Sequence, residues 1–367
     1  MPVSFSVGDW SIRLVDYSRP REIAVEVTTR CNLSCIHCFR YASRSLKLVD
    51  MSFDAYKRIV DNAAESGVKK LVLTGWGEPT TNERWLEMVK YAKSRGMQVV
   101  LNTNGMLIGD ACEDLVSIGV DEVYVSIDAA DVALYEKVRR LGDLSVVTKN
   151  VARLSELKLE HEARKPTLKT IFTITKLNVG ELEKLVKYVI DVGIQEVYLS
   201  FYVEYPGGAQ GLNCLDDPEC LAKVKKVTEK LSVTLVNAPI KLWAPNIESY
   251  TSRECPFAAN KALYVRVDGK VAPCMFLAHD WEVVLQGTRR RIREYVIGDA
   301  LHESLVDVWR RHAKMYFKLY FNYMPSCLDC PLRNWCSYTL STEVDCWGNE
   351  PNCSFCPYHY GFSYCPL

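Results

Sequence analysis

The sequence lacks a long apolar run and an excess of either charge. Within its 367 residues no stretch of about eighteen consecutive apolar residues occurs, so no membrane-spanning helix is predicted. Lys and Arg together number 45, as do Asp and Glu, so no net positive field attracts nucleic acid or anionic membranes. Residues 1–20 lack the basic segment and apolar core of a secretion signal. These absences predict a cytoplasmic protein with no nucleic-acid or membrane partner.

Two common loop signatures are also missing. The chain has neither a glycine-rich phosphate loop of the P-loop or dinucleotide-binding kind nor the nucleophile elbow of serine hydrolases. The usual nucleotide-binding and hydrolytic activities of proteins with alternating helices and strands are therefore not predicted.

Cysteine, by contrast, is abundant and unevenly distributed. An odd number of cysteines, fifteen, in a long chain without a secretion signal favours bound metal over a disulfide framework. Three lie between residues 31 and 38, and nine lie between residues 255 and 365. This shift in composition predicts an N-terminal extension at 1–20, a first domain at 21–205, a linker at 206–250 and a cysteine-rich domain at 251–367.

The first two thirds of the chain alternate between helical and strand patterns. Phrases such as "ESGVKKLVLT" and "DVGIQEVYLS" each indicate a helix end, a turn and a buried strand, and six such strands are predicted. Six βα units form either an open doubly wound sheet or a partial barrel, and in both the functional loops leave the carboxyl ends of the strands. Four glycines suit the left-handed position after a helix: Gly67, Gly96, Gly119 and Gly193.

Three cysteines follow the first predicted strand directly. Cys31, Cys35 and Cys38 are expected in a loop at the mouth of the scaffold. Three thiolates on a [4Fe–4S] cluster leave one iron without a protein ligand, and such an open position is what metal chemistry needs. A structural zinc with His37 as a further ligand is the alternative interpretation of the same residues.

The spacing of these cysteines also resembles a known signature. Cys31-Asn-Leu-Ser-Cys35-Ile-His-Cys38 is similar to the CxxxCxxC segment of radical S-adenosylmethionine (SAM) enzymes. The resemblance implies a partial (β/α)6 TIM-type barrel in which the three catalytic cysteines hold a [4Fe–4S] cluster. It further implies that SAM binds the open iron and is cleaved reductively to a 5′-deoxyadenosyl radical, which abstracts hydrogen from a substrate. His37 stands where the family usually has an aromatic residue.

Loops after the later strands resemble the SAM-binding segments of the same family. The segment "TGWGEPT" at 74–80 is similar to the family's GGEP segment, with Trp76 in place of the first glycine. Asx turns and strand-exit turns would account for the same residues without any ligand. The resemblance implies that the following residues contact SAM: His37, Gly75, Gly77, Glu78, Pro79, Asn102, Asn104, Ser126, Asp128 and Arg139.

The cysteine-rich third resembles the SPASM domain, an extension of radical SAM enzymes that carries auxiliary iron–sulfur clusters. The segment from Cys255 to Cys274 predicts a hairpin with its turn at Asp268-Gly269, and residues 327–336 show CxxCxxxxxC spacing. The resemblance implies two auxiliary [4Fe–4S] clusters whose ligands come from nine cysteines: Cys255, Cys274, Cys327, Cys330, Cys336, Cys346, Cys353, Cys356 and Cys365.

The same resemblance divides these thiols between the two clusters. It places Cys255, Cys274 and Cys346 in the first cluster. It places residues 327, 330 and 336 in the second cluster, which Cys365 would complete. Residue 353 or 356 would then fill the remaining place in the first cluster. Zinc ribbons use similar paired cysteines, so structural zinc is the alternative for this third of the chain.

The C-terminal segment at 345–366, "DCWGNEPNCSFCPYHYGFSYCP", resembles a narrower group. This group comprises archaeal SPASM maturases associated with tungsten-containing oxidoreductases. It implies a peptide or protein substrate and a reduced ferredoxin- or flavodoxin-type electron donor. A small molecule or pterin cofactor as substrate, and a noncatalytic electron carrier with several clusters, are the alternatives. Only four glutamines occur, a composition compatible with a hot-growing archaeal source.

Two further features are assigned no function. The basic run "RRRIRE" at 289–294 is predicted to flank a hairpin and to be solvated. Cys214 and Cys220 are predicted to be ordinary loop cysteines, with a hydrogen donor or a substrate contact as the alternative. Cys112 is predicted to be a small buried residue of a helix.

Overall fold

A computed structural model describes residues 3–15, 17–249 and 253–367, which form fourteen strands and ten α-helices. The strands are β1 (Val3–Val7), β2 (Trp10–Leu14), β3 (Glu22–Val25), β4 (Lys70–Leu73), β5 (Gln98–Thr103), β6 (Glu122–Ser126), β7 (Thr167–Ile174), β8 (Glu196–Phe201), β9 (Lys241–Trp243), β10 (Ala262–Val265), β11 (Lys270–Ala272), β12 (Trp281–Leu285), β13 (Thr288–Ile292) and β14 (Gly298–Asp299). The helices are α1 (Phe53–Glu65), α2 (Trp85–Ser94), α3 (Cys112–Ser117), α4 (Val132–Val138), α5 (Leu144–Glu160), α6 (Leu182–Asp191), α7 (Pro218–Thr234), α8 (Pro256–Ala259), α9 (Leu305–Arg311) and α10 (Ala313–Tyr320).

Ten of these strands form one sheet, in the order β14-β11-β10-β3-β4-β5-β6-β7-β8-β9. The strands β3 to β8 are parallel neighbours, and helices α1 to α6 connect them. Strand β9 extends the parallel set beyond β8. The predicted α/β class with six parallel βα units is confirmed.

The core of the barrel follows from local patterns. Strands β3 and β4 are buried on both faces, as their unbroken apolar runs predict. Helix α1 begins after Ser52, whose hydroxyl accepts a hydrogen bond from the Ala55 N–H, and it buries Tyr56, Val60 and Ala63. The four glycines that were expected after helices all adopt left-handed backbone, with φ between +71° and +85°.

The predicted hairpin of the cysteine-rich third continues the same sheet. Strands β10 and β11 pair antiparallel around Gly269, whose φ is +81°. Residues 262–265 of β10 also pair in parallel with residues 22–25 of β3. The two regions are therefore joined by backbone hydrogen bonds. The predicted linker contains α7 and β9, and the exact domain boundaries stay predictions.

A disulfide joins Cys214 and Cys220, which sequence reasoning took for ordinary loop cysteines. The Asp217 N–H donates to the Cys214 carbonyl, and Asp217 then caps the start of α7. This turn brings the two Cα atoms to 5.2 Å, within the usual range for a disulfide. Within the described part of the chain, no helix combines the length and apolar composition that a bilayer-spanning helix needs.

Candidate active site

The carboxyl ends of the parallel strands open into a cavity of about 260 Å³. The C-terminal region closes one side of it with Met275, Trp281, Tyr358 and Tyr364. The structure brings most of the predicted site residues together here: Cys31, Cys35, His37, Cys38, Gly75, Gly77, Glu78, Asn102, Asn104, Ser126 and Arg139. The remaining two, Pro79 and Asp128, are buried and do not line the cavity.

The loop with the three cysteines is fixed to the segment that carries Arg139. The Ser34 N–H donates to the Arg140 carbonyl at 2.9 Å. Burial raises the pKa of the Cys35 thiol to about 12, and the Arg139 guanidinium opposes that shift. The three thiols are partly exposed at the cavity, and Cys35 lies near a permanent cation, an arrangement that suits an anionic cluster.

Glu78 locks the loop after β4 to the end of β5. Its Oε1 accepts hydrogen bonds from the hydroxyls of Thr80 and Thr103, each at 2.7 Å, and its Oε2 accepts from the Asn104 N–H at 2.7 Å. Burial raises the pKa of this carboxyl, and these hydrogen bonds oppose the shift. The side chain thus holds two strand ends in place at the cavity, whereas its contact with SAM stays a prediction.

The loop between β4 and Glu78 presents bare backbone to the cavity. A Cβ on Gly77 would lie 2.4 Å from the Thr28 carbonyl oxygen and 2.5 Å from that of Arg30. Trp76, which departs from the family pattern, does not line the cavity. Its indole Nε1–H donates to the Met275 carbonyl at 3.3 Å, so the ring points toward the cysteine-rich domain. The Trp76 side chain therefore does not occupy the cavity side of this loop.

We expect Gly77→Ala to lower the rate of SAM cleavage about 100-fold, because its methyl group would displace backbone of the cysteine loop and a shift of about 1 Å at a reacting centre has that effect. Overpacking of this kind should also cost about 1–3 kcal/mol of unfolding free energy. An assay of 5′-deoxyadenosine measures the cleavage rate, and denaturant titration measures the unfolding free energy. The matched control is Gly180→Ala, since nothing lies within 4 Å of a Cβ there. An unchanged rate in Gly77→Ala would contradict the close packing.

Asp128 organises the other wall of the cavity. Its Oδ2 accepts a hydrogen bond from Arg139 Nε at 2.6 Å and lies 3.3 Å from His37 Nε2, while its Oδ1 accepts from the Thr173 N–H at 2.6 Å. Burial lowers the pKa of His37 to about 4, so the imidazole is neutral near pH 7. A fully buried carboxylate therefore fixes both a cation and a neutral ring at the cavity.

Several buried polar atoms of the cavity lack a partner within the protein. Both side-chain amide atoms of Asn102 and the Nδ1 of His37 are buried and make no hydrogen bond. Such orphaned groups are costly unless a ligand satisfies them. Together with three thiols and an adjacent cation, they fit a polar molecule such as SAM bound next to a cluster.

Sequence reasoning missed Glu26, a fully buried carboxylate just after β3. It accepts hydrogen bonds from the Trp76 N–H at 3.0 Å and the Tyr264 hydroxyl at 2.9 Å, and its Oε1 lies 3.1 Å from His279 Nε2. Tyr264 and His279 belong to the cysteine-rich domain. The only signal was a second glutamate in the segment "EIAVEV", directly after the apolar residues of the strand. This network joins the loop after β4 to the cysteine-rich domain.

A second, small apolar cavity lies next to the cavity at the barrel mouth, and five of the C-terminal thiols line it. Met275 and Tyr358 line both cavities and so separate them. The Ser363 hydroxyl donates to the Phe201 carbonyl at 2.8 Å, which seats the C-terminal tail against the end of β8. The thiols of this first group are Cys255, Cys274, Cys353, Cys356 and Cys365.

The other four C-terminal thiols form a second group. Burial, with a contribution from the nearby Cys346, raises the pKa of Cys327 to about 11. Burial, then Asp345 and then Cys336 and Cys330 raise the pKa of Cys346. Hydrogen bonds link the same segments. The Cys327 N–H donates to the Ser354 carbonyl at 3.2 Å, and the Ser354 hydroxyl donates to Asp345, the neighbour of Cys346, at 3.1 Å. The Arg333 N–H donates to the Cys330 carbonyl and the Cys336 N–H to the Arg333 carbonyl, so residues 327, 330, 336 and 346 form one group.

The observed grouping differs from the division that the resemblance implies. Cys365 lies in the first group and Cys346 in the second, the reverse of the expected order. After Cys336 the chain forms a 3-10 helix at Ser337–Leu340 and returns along β13, where the Thr342 N–H donates to the Arg291 carbonyl. The nine-residue gap therefore brings Cys346 back to its own group.

Among the described residues, no three His, Cys, Asp or Glu side chains converge closely enough to hold a single metal ion. A cubane cluster differs from a single ion in that each thiolate binds a different iron. The thiols of a cluster site therefore need not meet at one point.

Comparisons with known proteins agree with this geometry. A family model described as "Radical SAM superfamily" matches residues 25–189, and the SPASM model, described as "Iron-sulfur cluster-binding domain", matches residues 255–331. The chain is 31% identical over 349 residues to the tungsten-containing aldehyde ferredoxin oxidoreductase cofactor-modifying protein of Pyrococcus furiosus, which covers 94% of this chain and 96% of that protein.

Two groups of solved structures share the fold. Streptococcus suis SuiB bound to its precursor peptide SuiA has a TM-score of 0.62 at 19% identity, covering 88% of this chain and 72% of SuiB. The structure of anSMEcpe with bound AdoMet has a TM-score of 0.62 at 16% identity, and the match covers 94% of this chain and 96% of anSMEcpe. The predicted family is thus confirmed. The chain belongs to the radical SAM superfamily and is a radical SAM enzyme with a C-terminal SPASM iron–sulfur domain.

Proposed function

We propose that the chain cleaves SAM reductively to a 5′-deoxyadenosyl radical, which abstracts hydrogen from a peptide or protein substrate. The observation that carries this proposal is the single cavity that joins Cys31, Cys35 and Cys38 to the polar strand ends and to the C-terminal region. A substrate group would bind between the barrel mouth and the SPASM domain. There it would lie beside Met275 and Tyr358, which separate the cavity from the first group of C-terminal thiols.

The cysteine loop provides the cluster site in this proposal. Cys31, Cys35 and Cys38 hold a [4Fe–4S] cluster, which when bound supplies the electron for breaking a sulfonium bond of SAM. Because Gly77 has no side chain, the loop after β4 can pack directly against the Thr28 and Arg30 carbonyls that precede Cys31.

The strand ends position SAM. Asn102 offers both of its unpartnered amide atoms to the polar groups of the ligand, and Ser126 lines the same wall. Asp128 holds the Arg139 guanidinium at the cavity, where it can meet a carboxylate in a bidentate manner. His37, neutral and partly satisfied, contributes its free Nδ1.

The two groups of C-terminal thiols each hold one auxiliary cluster in this proposal. Potentials of iron–sulfur clusters span about −700 to +450 mV, so they can exchange electrons with a wide range of partners. A reduced ferredoxin- or flavodoxin-type protein is the proposed electron donor, and the cytoplasm of a thermophilic archaeon is the proposed location.

The similarity to a cofactor-modifying protein of a tungsten enzyme supports a role as a maturase. It also favours a second candidate, in which the substrate is a small molecule or the pterin cofactor of such an enzyme. Mass spectrometry of a tungsten oxidoreductase before and after incubation with the reconstituted chain separates the two. A mass change on the polypeptide supports the first candidate, and a change confined to the pterin supports the second.

The proposed reaction is tested by anaerobic reconstitution with iron and sulfide followed by assay of 5′-deoxyadenosine. We expect about a dozen iron atoms per chain, four for each of three clusters, together with reductant-dependent SAM cleavage. Iron without cleavage would instead support a noncatalytic electron carrier. Tight zinc in place of iron would support a structural module and overturn the proposal.

A further inference from the structure

We infer that Arg290 is a positioning residue for the auxiliary cluster of the second thiol group and sets that cluster's reduction potential. The inference rests on the proposed function, which assigns one auxiliary cluster to residues 327, 330, 336 and 346. It adds a residue that belongs to no cysteine motif and that sequence reasoning placed in solvent.

Arg290 is fully buried, although the basic run that contains it was predicted to be solvated. On β13 the exposure alternates, so that Arg289 and Arg291 face solvent while Arg290 shares the inner face with Ile292. The prediction was therefore wrong for Arg290 and Ile292, the two residues of the run that face inward. The guanidinium lies 5.0 Å above the ring of Phe355.

The guanidinium is poorly satisfied by the protein itself. Its Nη1 donates to the Thr339 carbonyl at 2.5 Å, but Nε and Nη2 are buried and make no hydrogen bond. Among the described residues, it forms no ion pair with a carboxylate. A buried cation without an anion is costly, so this arrangement indicates an anionic partner that completes it.

The residues around the guanidinium identify that partner. Burial lowers the pKa of Arg290, while Cys327 and, more weakly, Cys336 raise it. Hydrogen bonds give the same position: Thr339, whose carbonyl accepts from Arg290, donates its N–H to the Cys336 carbonyl at 3.3 Å. Phe355, which lies under the guanidinium, follows Ser354, whose carbonyl accepts from the Cys327 N–H at 3.2 Å. The cation therefore lies beside the thiols of the second group, and Arg333 is a second cation nearby. A cluster bound by four thiolates carries net negative charge and has sulfur acceptors for N–H donors. It would satisfy both the charge and the two free donors of Arg290.

A fixed cation beside a cluster has a defined effect. Reduction adds one negative charge, and a nearby positive charge with N–H donors to sulfur stabilises the reduced form more than the oxidised form. Arg290 should therefore raise the reduction potential of this cluster. Because arginine stays protonated throughout the accessible pH range, the effect should not depend on pH between about 6 and 9.

The test compares Arg290→Gln and Arg290→Lys with the exposed neighbour Arg289→Gln, all in the reconstituted full-length chain. Redox titration followed by EPR measures the potential, and the relevant signal is the one that Cys346→Ala abolishes. We expect Arg290→Gln to lower the equilibrium constant for one-electron reduction of this cluster at least tenfold. Its reduction potential then becomes more negative by about 59 mV. Arg290→Lys should shift it less, and Arg289→Gln should not shift it.

Each outcome decides the inference. An unshifted potential in Arg290→Gln with full iron content would overturn it. Loss of four irons from Arg290→Gln but not from Arg290→Lys would support it, since charge would then retain the cluster. Loss from both variants would indicate that shape alone matters and would overturn it. Wild-type chain without iron at the second thiol group would instead remove the proposed auxiliary cluster, a failure that the iron count distinguishes.

Discussion

Cys35→Ala is expected to abolish 5′-deoxyadenosine formation while leaving the iron of the SPASM domain in place. The partly exposed thiol lies in the loop at the mouth of the barrel, with Cys31 and Cys38 in the same cavity lining. Two thiolates cannot retain a cubane that already lacks one protein ligand. Iron content should therefore fall by about four atoms per chain, the content of one [4Fe–4S] cluster. Iron analysis and an anaerobic SAM-cleavage assay measure both effects.

The matched control is Cys112→Ala. Cys112 is 1% exposed and lies at the start of α3, with Sγ 3.4 Å from the Ile108 carbonyl oxygen and outside all three thiol groups. This variant should keep its full iron content and its SAM cleavage. Retained cleavage in Cys35→Ala would remove the loop from the mechanism.

Asp128→Asn is expected to lower the free energy of unfolding by about 3–5 kcal/mol, since it removes one partner of a buried ion pair. The Arg139 guanidinium would be left without its anion, because Asp128 Oδ2 accepts its Nε–H at 2.6 Å in a fully buried position. SAM cleavage should fall as well, because Arg139 lines the cavity. Denaturant titration and the 5′-deoxyadenosine assay provide the two measurements.

Asp131→Asn provides the comparison for this variant. Asp131 is exposed and caps α4 by accepting the Leu134 N–H at 2.9 Å, a task that asparagine performs equally well. Its unfolding free energy should change by less than about 0.5 kcal/mol, as is usual at the surface. A similarly small change in Asp128→Asn would mean that Arg139 finds another partner.

The barrel could be predicted because its signals are local. Apolar strand runs, a helix cap such as Ser52 and left-handed glycines such as Gly67 each act over a few residues. Residues that follow parallel strands necessarily meet at one edge, so the convergence of Asn102, Ser126 and the cysteine loop also followed from the pattern.

The cysteine-rich third was less predictable because its grouping depends on the path of loops. The spacing of the cysteines does not predict that the segment after Cys336 runs along β13 and returns Cys346 to the same group. Arg290 could have been recognised, since it is in phase with Ile292 on a strand. The neighbouring Arg289 and Arg291 led to the prediction that the whole run is solvated. The bridge from Glu26 to His279 joins residues 253 positions apart, and no local pattern reports such a contact.

The pairing of β10 with β3 limits how this enzyme can be divided. A fragment that stops before the SPASM domain would expose one flank of β3, the strand leading into the cysteine loop, with a row of unsatisfied N–H and C=O groups. Such a flank invites self-association. The barrel and the SPASM domain should therefore be expressed and engineered as a single piece.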